Sequence, residues 1–172
     1  NLSCSKKTDL NNNNIFRYNE HSNISSLDPI FSSTVRNIWP VNQIFNGLVQ
    51  LDDSLNIKPD LAKKWDISDD GLNYVFNIKK NIFFHKSNIF GADSTRTVNA
   101  YDFEYSFNRL KSPELSSPGS WVLNNVDQYK AINDSLFSIS LKKPFAAFIG
   151  ILSMKYCSCL LYTSDAADDV VG

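Results

Sequence analysis

Histidine, methionine and cysteine are scarce here: two, one and three among 172 residues. His21 and His85 stand far apart, so the short-spaced ligand set that zinc or nickel needs is missing. Cys4, Cys157 and Cys159 make an odd count, which argues against a disulfide framework. The C-x-C pair has no nearby histidine or second cysteine pair to complete a metal site. The net charge is −1 and no basic block occurs, which excludes a nucleic-acid footprint. No apolar run approaches membrane-spanning length; Phe145 to Leu152 comes nearest. Glycine-rich phosphate loops are absent, as is a nucleophile elbow around any serine. The paired acids Asp52-Asp53 and Asp69-Asp70 lie in turn contexts and read as turn formers rather than acid/base pairs. An enzyme therefore has no residues to stand on. What is present is 42% hydrophobic and 13% aromatic residues, enough for one domain with a real core.

The densest local signal runs from Ile57 to Phe84. Pro59 and Asp60 predict a helix start, with Ala62 and Trp65 on its apolar side. Asp69-Asp70-Gly71 predicts a turn. Leu72, Tyr74, Phe76 and Ile78 alternate with polar residues, the period of a half-buried strand. Ile82-Phe83-Phe84 follows as a second apolar strand.

Elsewhere, Asn1 to Asn14 reads as an unstructured leader and Ile15 to Tyr18 as a strand. Val41 to Val49 predicts a helix, and Asn88 to Arg96 a polar loop. Asn99 reads as an N-cap with Asp102 in the capping-box position, ahead of Phe103, Phe107 and Leu110 on one helical face. Asn133-Asp134 is a turn, Leu136 to Leu141 a strand, and Ala146 to Met154 a short apolar helix. After Ser158 the composition changes abruptly. Back-translated, CLLYTSDAADD resembles read-through into a transposase-type sequencing adapter, so residues 159–172 are expected not to be native.

Several of these residues fall in a recognisable order. Leu27-Asp28-Pro29 is followed by Ile44, Gly47, Leu48 and Val49, then by Pro59, Asp60, Leu61, Ala62, Trp65, Ser68, Asp70, Gly71, Tyr74, Phe76 and Phe84-His85. Asp102, Phe103, Tyr105, Ser106 and Arg109 come next, and Asp134, Leu141, Pro144 and Phe148 close the series. The pattern resembles the family 5 extracellular solute-binding proteins, the peptide-binding components of ABC importers, over residues 15–158. It departs at Lys86-Ser87, where the family has Asp-Gly.

The resemblance implies an α/β fold with mixed sheets, the type II fold of periplasmic binding proteins, of which this chain holds part of the first lobe. Residues 15–158 would supply the start of the main sheet and an accessory α/β subdomain, not competent alone. The implied function is capture of peptides outside the cytoplasmic membrane and delivery to permease subunits, by a protein that is monomeric when full length. No cofactor is implied. Relatives that bind nickel, haem or oligosaccharide make other solutes the alternative. In the family, the segment after L-D-P lies beside the bound peptide, which points to Ser33, Thr34 and Val35. Their side chains suit an extended segment gripping a peptide backbone. Trp121, after the Ser117-Pro118-Gly119-Ser120 loop, is a candidate cleft aromatic or else a core residue. Trp39 is a weaker candidate, and Trp65 is expected in the core. Cys4, within Leu2-Ser3-Cys4-Ser5, resembles the lipidation site of a bacterial lipoprotein, which would hold the protein at the periplasmic or cell surface.

Overall fold

The computed structural model describes Asn19 and residues 23–161. The expected leader, the first strand at Ile15 to Tyr18, Cys4 and His21 lie outside the described residues.

Two antiparallel sheets carry the fold. The smaller pairs β1 (Val49–Leu51) with β2 (Ile57–Pro59). The larger has the order β3-β4-β6-β5, built from β3 (Ala62–Ile67), β4 (Asn73–Ile78), β5 (Val126–Asn133) and β6 (Leu136–Leu141). Register sets Trp65 opposite Phe76, Tyr74 opposite Ile139, and Phe137 between Phe76 and Ala131. Tyr74, Phe76, Ala131, Phe137 and Ile139 thus share one buried face.

Helix α2 (Ala100–Lys111) covers that face. Its start is the expected capping box: Asn99 accepts from the Tyr101 N–H, and the Asp102 carboxylate accepts from the Asn99 N–H at 2.8 Å. Asp102 is fully buried and pairs with Arg96. Phe103, Phe107 and Leu110 are fully buried; the Phe107 ring meets Phe137 edge-on at 5.4 Å and Tyr129 at 5.5 Å.

The turn into β4 also forms as expected. Gly71 takes φ +68°, and Asp70 accepts from the Leu72 N–H and the Ser68 hydroxyl. The helix expected after Pro59 does not form. Pro59 ends β2, and residues 62–67 are the edge strand β3. Asp60, instead of capping a helix, accepts from the Gly47 N–H at 3.0 Å and the Asn46 amide at 3.0 and 3.2 Å. Leu61 and Ala62 donate to Gly47 and Leu48 carbonyls. These long-range partners override the local helix-start chemistry.

The helix expected at Val41 to Val49 lies earlier: α1 spans Val35–Ile44 and contains Pro40. Val49 opens β1. Ile82 to Phe84 forms only an isolated bridge, Phe83 to Thr97. Of the expected apolar helix at 146–154, α3 (Phe148–Ile151) forms. Trp65 is half-buried against Phe76, at the core's edge.

Candidate ligand groove

Leu27-Asp28-Pro29 starts a 3-10 turn, Pro29–Phe31, in which Asp28 accepts from the Ile30 N–H. The same carboxylate forms a forked pair with Arg109 of α2, 81 residues on, at 2.8 and 3.3 Å. Ser117 donates its hydroxyl to the Ile30 carbonyl, and buried Asn37 donates to Ser25 Oγ and the Phe31 carbonyl. Residues 25–32 are thereby fixed against α1 and α2.

A second 3-10 turn, Lys155–Cys157, packs against this one. It is seated by the Cys159 N–H, which donates to the Asn46 carbonyl at 2.8 Å. Gly119 lies flat under the Tyr156 ring, where a Cβ would come within 2.3 Å of it.

Between the two turns, α1 and β1 lies a groove of about 610 Å³. Ser32 and Ser33 form one wall, Ile38 and Asn42 of α1 another, and Gln50 of β1 closes the side. Met154, Lys155 and Tyr156 face them. The other grooves described, near Asn99, Glu104 and Val75, have about 300, 210 and 260 Å³. Among the described residues, Lys155 is the only charged side chain lining the large groove. Burial pushes its amine below the ordinary lysine value, against the opposing pull of Asp60. Ser32 is 2% exposed, and its hydroxyl has no hydrogen-bond partner among the described residues.

Of the residues singled out from sequence, Ser33 lines the groove. Thr34 is extended at the N-cap of α1, and Val35 is the first helical residue, 67% exposed. No strand forms at residues 33–35, and Val35 belongs to α1. Trp121 is not in the core; it is 47% exposed in the 3-10 turn Ser120–Leu123. Trp39 is exposed on α1. Asn42, Gln50, Lys155 and Tyr156 were not foreseen, because none belongs to a local motif. Cys157 and Cys159 are buried in the hydrophobic core, and burial pushes the Cys157 thiol up to about 12. No cluster of three or more metal-ligating side chains occurs among the described residues, and none of their helices is long and apolar enough to cross a membrane.

This arrangement, two sheets and covering helices with a groove beside a fixed turn, is part of the first lobe of a type II periplasmic binding protein fold. The peptide-bound DppA of Helicobacter pylori, in complex with peptide STSA, superposes with TM-score 0.72 and 28% identity, over 86% of this chain and 30% of that one. The family described as bacterial extracellular solute-binding proteins, family 5, matches residues 56–168, and the chain belongs to it. Heme-binding protein A of Haemophilus influenzae is 33% identical over 144 residues, covering 75% of this chain and 25% of the relative. A probable di/tripeptide-binding protein of Pseudomonas aeruginosa is 30% identical over 142 residues, covering 74% and 26%. The chain thus spans about a quarter of the length of these relatives. They are binding proteins, not enzymes.

Proposed function

We propose that this chain is part of the first lobe of a peptide-binding component of an ABC importer, and that the groove between the Pro29–Phe31 and Lys155–Cys157 turns forms one wall of its ligand cleft. The observation that carries this reading is the groove: a concavity lined by both polar and apolar side chains, held beside the L-D-P turn. The match to a peptide-bound DppA supports the ligand class. Of Ser33, Thr34 and Val35, Ser33 lines this wall; Thr34, Val35 and Trp121 are proposed to lie beside the ligand in the complete cleft. Capture would proceed by closure of a second lobe over the groove, followed by docking on permease subunits. Titration calorimetry of the full-length protein with a pool of di- to oligopeptides tests this: saturable binding supports it, and no binding overturns it. Haem is the second reading, favoured by the 33% identity to a haem-binding protein. Haem titration followed by its absorption separates the two.

Two flanking assignments belong to the same proposal. Lipidation of Cys4 would anchor the protein at the membrane surface, and an intact mass without acyl chains would refute it. Residues 159–172 are proposed to be non-native. The bonds that Cys159 and Leu160 make to the fold use backbone N–H groups, which any residue except proline supplies. A genomic read continuing through these codons in a long frame would refute that assignment.

A further inference from the structure

Lys155 has no stated use in the fold. It takes part in none of the ion pairs formed by the described residues. The carboxylate that influences it, Asp60, is committed to Asn46 and Gly47. Yet Lys155 is half-buried, and among the described residues it is the single charge on a groove otherwise lined by hydroxyl, amide, aromatic and apolar groups. A cation in that setting loses hydration, and no carboxylate among the described residues forms an ion pair with it. A ligand carboxylate would supply such a partner, through a charge-assisted hydrogen bond from the amine.

We propose that Lys155 is a specificity-determining residue that selects peptides placing a carboxylate in this groove. The proposal rests on the peptide reading above and narrows its ligand class. A neutral peptide would leave the amine desolvated and unpaired, whereas a peptide carrying a carboxylate there completes it. The carboxylate comes from either an acidic side chain or the peptide C-terminus, and the two share the same chemistry at Lys155.

The test uses the full-length protein, its Lys155→Gln and Lys155→Met variants, and Lys155→Arg as the charge-retaining control. Calorimetry would compare matched peptides: Glu against Gln at each position, and free C-terminus against C-terminal amide. The wild type and Lys155→Arg should bind one carboxylate form about tenfold more tightly than its neutral match. Lys155→Gln and Lys155→Met should lose most of that ratio. Loss in the Glu/Gln arm assigns the carboxylate to a side chain, and loss in the amide arm assigns it to the C-terminus. Equal ratios in wild type and both neutral variants would overturn the proposal and leave the peptide reading standing. Failure of the wild type to bind any peptide would overturn both.

Discussion

Asp60→Ala removes the acceptor that ties the Asn46-Gly47 segment to the residue following β2. Asp60 is 9% exposed and accepts from the buried Gly47 N–H at 3.0 Å and from the Asn46 side-chain amide at 3.0 and 3.2 Å. Hydrogen bonds to a charged group contribute about 1.5–3 kcal/mol, and a buried donor left unpaired costs about 1–3 kcal/mol. These terms overlap, so the expected loss is about 3 kcal/mol. Asp60→Asn keeps a carbonyl for the Gly47 N–H and should cost about 1 kcal/mol. Because the Asn46 carbonyl also seats the residues after Lys155, the damage should be local as well as global. Urea unfolding of the full-length protein measures the first effect. Hydrogen exchange in the segment containing Gly47 and in the Lys155–Cys157 turn measures the second. A stability change under about 0.5 kcal/mol, with Gly47 protected as in the wild type, would refute the reasoning.

The forked Asp28–Arg109 pair has side chains 25% and 22% exposed, and a double-mutant cycle with alanine at both positions should give a coupling of about 1–2 kcal/mol in urea unfolding. Gly119→Ala forces its Cβ onto the Tyr156 ring, so it should displace Tyr156 from the groove and weaken ligand binding, read by calorimetry. With its thiol pushed up to about 12 and no exposed surface, Cys157 should resist alkylation at pH 8 in the folded protein and react only when unfolded, as read by mass spectrometry. The Ser68 hydroxyl and the Leu72 N–H hold the Asp70 carboxyl below its ordinary value of 3.8. Its contribution to the turn is therefore present at neutral pH and lost as pH falls below 3.8 through the lowered value, which an NMR titration of Asp70 should show.

The parts of the fold that were legible are those whose cause is local. The capping box of Asn99 and Asp102, the Asp70-Gly71 turn and the alternation through Tyr74, Phe76 and Ile78 each carry their own acceptor, φ requirement or period within a few residues. Pro59-Asp60 misled because its chemistry is equally that of a helix start; the donors that decided otherwise, at Asn46 and Gly47, lie 13 or 14 residues away. The helix expected from Val41 begins instead at Val35, with Pro40 inside it. Strand β5 went unread because irregular pairing near Gln128 and Asn133 breaks its alternation.

The groove was legible at one point only. Ser33 followed from its place after Leu27-Asp28-Pro29. Lys155 and Tyr156 gave no local signal, since they become groove residues only when the Lys155–Cys157 turn packs against Pro29–Phe31, more than a hundred positions earlier. The Asp28–Arg109 pair shows the same thing from the structural side. Two pieces of the family pattern, separate in sequence, turn out to be the two ends of one contact.

The most direct measurement is mass spectrometry of the small molecules carried by the full-length protein purified without added ligand. The account predicts peptides, released by denaturation and displaceable by a peptide pool. Haem as the stoichiometric passenger, with no peptide released or accepted, would contradict it.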